Sequence, residues 1–145
     1  EKTLQMNRDH EGEELLILFA DLDHLKEIND SFGHIEGDFS IRHCAEVLKK
    51  VVGADGIVGI IGGDEFCVVT LGNLKDGQQI IERIREESDA FNCTSDKEYY
   101  VELSAGCTSV ICRNGLVIAD ALREADRALY EVKKLRRNSV KKIRL

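Results

Sequence analysis

The sequence predicts an α+β fold, in which helices cover a central sheet rich in antiparallel strands. Short apolar runs typical of buried strands alternate with longer segments whose apolar residues recur at helical spacing. Two of these runs flank residues 62–65, Gly-Gly-Asp-Glu, a tight-turn sequence that predicts an antiparallel hairpin. The 145 residues contain no proline and no internal repeat, so we expect a single domain over residues 1–145.

The first half of the chain alternates between helix and strand patterns. Residues 1–10 are polar and resemble the end of a helix. Residues 15–20 form a continuous apolar run bounded by charge, which predicts a strand buried on both faces. Asp23 is expected to cap a short helix over residues 23–31, and a longer helix is predicted over residues 36–51.

The second half begins with the hairpin, whose strands are predicted over residues 57–61 and 66–71. Apolar residues then return at helical spacing over residues 76–91. The remaining predicted elements are strands over 99–105 and 107–112, a helix over 116–134 and a last strand over 139–143.

Composition restricts the possible partners and location of the domain. Hydrophobic residues make up 43% and charged residues 32%, as in ordinary globular proteins. The longest apolar run is much shorter than the roughly 20 residues of a membrane span, so direct membrane insertion is not expected. The net charge of −7 argues against nucleic acid as a partner. Without a secretory signal pattern, we expect a cytoplasmic domain, although the parent protein could be anchored in a membrane.

The cysteines support a reducing compartment. Their number is odd, they form no Cys-x-x-Cys pair, and most lie in apolar segments: Cys44, Cys67, Cys93, Cys107 and Cys112. Buried, reduced thiols are therefore expected, with zinc ligation as a remote alternative.

Two acidic clusters are the strongest candidates for chemistry. Asp21 and Asp23 directly follow the first predicted strand, and Asp64 and Glu65 occupy the hairpin tip. If this strand lies beside the hairpin, Asp21 and Asp64 converge, and their repulsion then requires a cation such as Mg²⁺. A pair of such ions supports in-line displacement at phosphorus. The alternative is that these acids only cap a helix and form a solvated turn.

Residues near the acids could bind a nucleotide. Gly62 and Gly63 suit a hairpin turn, and a turn without Cβ atoms also lets backbone N–H groups approach phosphate oxygens. Asn29 and Asp38 are either caps and turn residues or readers of a guanine edge.

Several basic residues could also have either a purely structural role or a role in binding a nucleotide. Lys26 is a surface charge or a phosphate ligand, and His34 is a turn histidine or a substrate ligand. Lys133 and Arg137 are spaced i, i+4 and share one helical face, so together they could hold a triphosphate. The alternative is the usual enrichment of basic residues at a helix C-terminus.

Three segments together favour the functional readings. They are residues 21–30 with Gly33-His34 and Gly37-Asp38, residues 62–66, and residues 125–130 with Lys133 and Arg137-Asn138. In this order, from about residue 12 to residue 140, they resemble the signatures of the GGDEF family of diguanylate cyclases.

The resemblance implies a fold similar to the adenylyl cyclase and polymerase palm domains, which is ferredoxin-like. It implies an enzyme that condenses two GTP into cyclic di-GMP with two Mg²⁺ per active site, Mn²⁺ being a possible substitute. Each domain would hold one GTP, so turnover would require a homodimer of antiparallel domains. It also implies that the domain comes from a longer protein with an upstream sensor domain.

The resemblance further assigns roles to individual residues. The metal ligands would be Asp21, Asp64 and the Leu22 carbonyl, and Glu65 would assist the metal or deprotonate the 3′-hydroxyl. The implied catalytic residues are Asp64, Glu65 and Lys26. The implied substrate-binding residues are Asn29, Asp38, Gly63, His34, Lys133 and Arg137.

The sequence departs from the family pattern at several positions. Many members carry an arginine where this chain has Ile60, and an Arg-x-x-Asp product-inhibition site where it has Gly53 and Gly56. Arg136 replaces the usual glycine before the last basic motif. These departures predict the absence of feedback inhibition through that site. They keep open a weak or inactive domain that binds GTP as a regulatory module, and a purely structural dimerisation domain remains a third alternative.

Overall fold

The computed structural model describes the backbone of residues 2–144 and the side chains of residues 2–135. In these residues the elements are α1 (Lys2–Asp9), β1 (Glu14–Leu22), α2 (Leu25–Phe32), α3 (His34–Val52), β2 (Ile57–Ile60), β3 (Glu65–Leu71), α4 (Leu74–Thr94), β4 (Leu103–Ile111) and α5 (Ile118–Arg144). The predicted α+β class is confirmed, because the sheet is antiparallel and packs against helices.

The sheet has the strand order β2-β3-β1-β4, and every neighbouring pair is antiparallel. The predicted hairpin is therefore confirmed as β2 and β3. Strand β1 pairs with β3 on one side and with β4 on the other, where Asp21 lies opposite Glu65 and Ser104 respectively. This order places the end of β1 beside the start of β3.

Strand β1 is buried on both faces, as its continuous apolar run predicts. Its side chains alternate, so that Leu15 and Ile17 face a cluster with residues of α5. Leu18 and Ala20 face the opposite cluster, with residues of α3 and α4. Asp21 lies four residues after Ile17 on the same strand, so its side chain lies on the same face of the sheet, the face covered by α5.

The prediction of two strands over residues 99–105 and 107–112 is wrong, because β4 is one strand that runs through Gly106. A Cβ at Gly106 would lie 2.3 Å from the backbone nitrogen of Leu129 and 2.5 Å from the carbonyl carbon of Ala128. Glycine is present there because α5 packs directly on the strand, not because the strand is interrupted.

The predicted strand over residues 139–143 is also wrong, since α5 extends to Arg144. No glycine or proline follows Gly115, so the sequence contains no strong helix terminator in this segment. The remaining helices and strands lie close to their predicted positions.

Asp23 does not cap a helix as predicted. Helix α2 begins at Leu25 after His24, which has φ 61° and makes no side-chain cap hydrogen bond. The Asp23 carboxylate instead accepts a hydrogen bond from Ser104 Oγ at 2.9 Å. A contact across the sheet therefore replaces the local cap.

All five cysteines are free. Cys44 and Cys112 are buried, as expected. Cys67 and Cys107 are only half-buried and Cys93 is exposed, so the expectation of burial holds in part for the first two and fails for Cys93. Burial raises the pKa of the Cys44 thiol to about 12 and that of Cys67 to about 11, which keeps both protonated. Within the described part of the chain, no helix combines the length and apolar character needed to cross a membrane.

Candidate active site

The end of β1 and the hairpin tip are joined by the main chain. The Leu22 N–H donates to the Asp64 carbonyl at 3.1 Å, and the Ile61 N–H donates to the Glu65 carbonyl at 2.8 Å. Between these bonds the chain turns at Gly62, which has φ 120° and therefore suits glycine. This backbone arrangement fixes the Asp64 position relative to Asp21.

The two acids converge as the sequence predicts. Asp21 is only 6% exposed, and burial raises its pKa to about 6. Lys133 opposes this rise, whereas Asp64 adds to it through charge repulsion. A proton on Asp21 could also be shared with Asp64 through a hydrogen bond, which again favours the protonated form.

Lys133 lies against Asp21 in the structure. Its Nζ forms an ion pair with Asp21 Oδ2, so the predicted phosphate ligand contacts the predicted metal ligand. Asp21 Oδ1 is buried and has no hydrogen-bond partner among the described residues. Oδ1 is therefore the oxygen of this acid that is left without a protein partner among the described residues.

The residues present fit a divalent ion. Asp21 offers an unpartnered buried oxygen, and Asp64 provides a second carboxylate beside it. Within the described side chains, no group of three or more His, Cys, Asp or Glu residues could hold a metal. Mg²⁺ accommodates this limited donor set, because it takes one or two carboxylates and completes its shell with water and phosphate oxygens.

The predicted guanine readers lie on adjacent helices. A Cβ at Gly37 would lie 1.8 Å from Asn29 Oδ1, so α2 and α3 approach closely only because residue 37 is glycine. The exposed Asp38 is the next residue of α3. It lines a surface cavity of about 450 Å³ together with Ile35, Ile41 and Arg42.

The other predicted site residues are more exposed than Asp21. Lys26, His34 and Glu65 are exposed. No atom lies within 4 Å of a Cβ built at Gly63, which leaves its backbone accessible to a ligand. The side chain of Arg137 lies outside the described side chains, so its predicted role stays a prediction.

One cluster near the guanine readers was not anticipated from the sequence. Tyr99 Oη donates to Glu36 at 2.6 Å, and Lys97 forms an ion pair with Glu36 at 2.8 Å. These contacts hold the pKa of Glu36 below its usual value. They tie the loop before β4 to the first turn of α3, across 63 positions of sequence, and no local pattern indicates such a contact.

Comparison with known proteins identifies the class to which this fold and site belong. The sequence profile described as "Diguanylate cyclase, GGDEF domain" matches residues 1–139. The chain therefore belongs to the GGDEF domain family of diguanylate cyclases.

Two curated relatives from Escherichia coli (strain K12) are similar over most of the chain. Diguanylate cyclase DgcP is 37% identical over 128 residues, which cover 86% of this chain and 37% of that protein. The probable diguanylate cyclase DgcT is 33% identical over 130 residues, which cover 86% of this chain and 28% of that protein. The chain thus spans less than two fifths of the length of either relative.

Solved structures show the same fold. The active GGEEF domain of a diguanylate cyclase from Vibrio cholerae superimposes with a TM-score of 0.76 at 29% identity, covering 90% of this chain and 81% of that one. The coiled coil and GGDEF domain of DgcB from Caulobacter crescentus, in complex with c-di-GMP, gives a TM-score of 0.79 at 25% identity, covering 92% and 72%.

The raised pKa of Asp21 leads to a pH-dependent prediction. In metal-free buffer, the Asp21→Asn variant should be more stable than the wild-type domain above about pH 6. Between the ordinary aspartate pKa of 3.8 and about 6, the folded state holds a proton that the unfolded chain releases. The contribution of Asp21 to stability therefore falls as the pH rises through this window. We expect a difference of about 1–3 kcal/mol in the free energy of unfolding at pH 7.5.

Urea unfolding from pH 4 to 8 in the presence of a chelator measures this difference. The advantage of Asp21→Asn should shrink toward pH 4, where Asp21 is protonated in the folded state. Asp55→Asn, at an exposed loop position, is the control and should show no comparable trend. A difference that grows as the pH falls would contradict the predicted direction of the pKa shift.

Proposed function

We propose that this domain condenses two GTP into cyclic di-GMP and two pyrophosphates, using divalent ions at a homodimer interface. The observation that carries the proposal is the buried Asp21 carboxylate beside Asp64, with one oxygen that lacks a partner among the described residues. Membership of the GGDEF family supports the proposal, because most of the chain is similar to relatives that are named diguanylate cyclases or probable diguanylate cyclases.

Asp21, Asp64 and the Leu22 carbonyl would hold two ions per site, with Mg²⁺ as the natural metal and Mn²⁺ as a substitute. When bound, such a pair activates an attacking oxygen and stabilises a leaving one at phosphorus. The two acids suit this task because the pairing of the sheet fixes their positions, whatever the position of the substrate.

Other residues would bind and orient GTP. The Asp38 carboxylate can accept from guanine N1–H and the exocyclic amine, and Asn29 is held next to it against Gly37. The triphosphate would contact the Gly63 N–H and basic side chains, with His34 as a further substrate ligand. The proposed basic phosphate ligands are Lys26, Lys133 and Arg137.

The reaction consists of two displacements. The 3′-oxygen of one GTP attacks the α-phosphorus of the other, and the bond from this phosphorus to the bridging oxygen of the β-phosphate breaks. Pyrophosphate leaves, and Glu65, exposed at the start of β3, accepts the hydroxyl proton and passes it to solvent. Repetition in the opposite direction closes the ring, which requires two domains to face each other.

The full protein would carry further segments. The chain spans only part of its relatives, and the DgcB structure joins a coiled coil to its GGDEF domain. We therefore propose that residues 1–145 are one domain of a longer cytoplasmic or membrane-anchored protein whose upstream sensor controls dimerisation.

The direct test is to incubate the dimeric protein with GTP and Mg²⁺ and to detect cyclic di-GMP by liquid chromatography and mass spectrometry. We expect cyclic di-GMP and pyrophosphate in a ratio of one to two, as the two displacements require. A demonstrably dimeric sample that forms no product would overturn the proposed activity.

A second function is suggested by Ile60, which is 59% exposed where many family members carry arginine. An apolar side chain at the hairpin cannot make the salt bridge of that arginine, so the domain could bind GTP without efficient turnover. It would then act as a regulatory module for an attached partner. GTP binding without product would favour this function, whereas multiple turnovers would exclude it.

A further inference from the structure

A lysine already neutralises the Asp21 carboxylate, to which a divalent ion would also bind. Lys133 Nζ pairs with Asp21 Oδ2, where the acid side chain is only 8% exposed. The lysine side chain is 34% exposed, so its stem reaches solvent although its ammonium lies against the buried acid. The pair therefore combines a fixed anion with a cation that can leave.

The position of Lys133 is set by its helix, whereas its ammonium is free to reorient. Helix α5 packs against β4 so closely that only glycine fits at position 106, and its own residues Ala125 and Leu129 are buried. The lysine side chain ends in a point charge on a flexible four-carbon stem. It can move from the acid to a nearby phosphate without any movement of the helix.

Charge makes simultaneous binding of the ammonium and a metal ion at Asp21 unfavourable. Both cations would approach the same carboxylate within a few ångströms, and repulsion at such distances is strong in a buried site. A triphosphate removes the conflict, because its oxygens can accept the ammonium as the ion takes the carboxylate.

We propose that Lys133 and the divalent ion exchange at Asp21 when the triphosphate binds, so that the domain takes up metal and nucleotide together. This inference rests on the proposed function and adds that the substrate is the metal–nucleotide complex rather than GTP bound to a preloaded site. Lys133 is then a positioning residue in the empty site and a phosphate ligand in the filled one.

The first step of the exchange is the competition between Lys133 and the ion for Asp21 in the empty site. Manganese binding in the absence of nucleotide tests this step. The Lys133→Met variant should bind Mn²⁺ about tenfold more tightly than the wild-type domain, as measured by electron paramagnetic resonance. Lys134→Met removes the same charge from the neighbouring exposed position and should stay within about twofold of wild type. Equal gains in both variants would mean that only the general charge of the helix matters, which would overturn the exchange.

The second step of the exchange is the release of Asp21 by Lys133 when a triphosphate binds. It is tested by measuring Mn²⁺ affinity in the presence of an α,β-methylene analogue of GTP, which cannot react. The analogue should raise the Mn²⁺ affinity of the wild-type domain about tenfold more than that of Lys133→Met, because only in the wild-type domain does the triphosphate also draw a competing ammonium away from Asp21. Thermal melts in chelator check folding, and Lys133→Gln provides a second neutral variant if the methionine variant does not fold.

The outcomes separate this inference from the proposed function. Wild-type protein that binds Mn²⁺ alone as tightly as Lys133→Met would overturn the exchange, even if it makes cyclic di-GMP. Wild-type protein that binds neither the analogue nor Mn²⁺ with it would overturn the proposed function, and the exchange with it.

Discussion

If the proposed function is right, the Asp64→Ala variant should lose cyclic di-GMP synthesis by a factor of about 10³ or more, because it removes one of the two carboxylates that would hold the divalent ions. The fold should survive, since the hairpin tip is joined to β1 through the backbone carbonyl of Asp64 and not through its side chain. Product formation under saturating GTP and Mg²⁺ measures the loss, and circular dichroism measures the fold.

Asp55→Ala is a suitable control for this experiment. It removes one carboxylate from an exposed position before β2, outside the proposed site. Its turnover should stay within about twofold of the wild-type rate. If a well-folded Asp64→Ala protein kept a tenth of the wild-type rate or more, this acid would not be a metal ligand in the reaction.

The Gly106→Ala variant should lose about 2–4 kcal/mol of stability, because its new methyl group would collide with backbone atoms of α5. Backbone atoms of Ala128 and Leu129 lie 2.3 to 2.8 Å from the position of that methyl carbon. They cannot rotate away as a side chain would, so the helix must shift from the sheet. Such a shift would also move Lys133 from Asp21.

Gly59→Ala is the matched control, since Gly59 also lies within a strand and has no atom within 4 Å of the position that a Cβ would take. Urea unfolding of both variants at one pH gives the comparison. Gly59→Ala should change the free energy of unfolding by less than about 1 kcal/mol. Equal losses in both variants would show that the close packing of α5 on Gly106 does not determine the effect.

The parts of the fold that follow from local patterns were predictable from the sequence. The apolar run of β1 and the glycine turn between β2 and β3 each contain their own signal, and both predictions are confirmed. Gly106 shows the limit of this approach. The same residue type marks a turn in one place and close helix packing in another, and only the tertiary structure distinguishes them.

Three residues of the candidate site were predictable from the sequence, but the contacts between them were not. The motifs pointed to Asp21, Asp64 and Lys133, and the structure brings these three together. That the lysine pairs with the acid could not be read from spacing, because the two residues are 112 positions apart. For the same reason the bond from Ser104 to Asp23 replaced an expected local cap.

The main-chain hydrogen bond between Leu22 and Asp64 has a consequence for sequence variation at the hairpin. Because the backbone sets the separation of β1 and the tip, the acid at position 64 could gain a methylene group while the strands stay in place. The V. cholerae relative, whose motif is written GGEEF, carries the longer acid. We therefore expect that Asp64→Glu in this chain would leave the pairing of β1 with β3 unchanged.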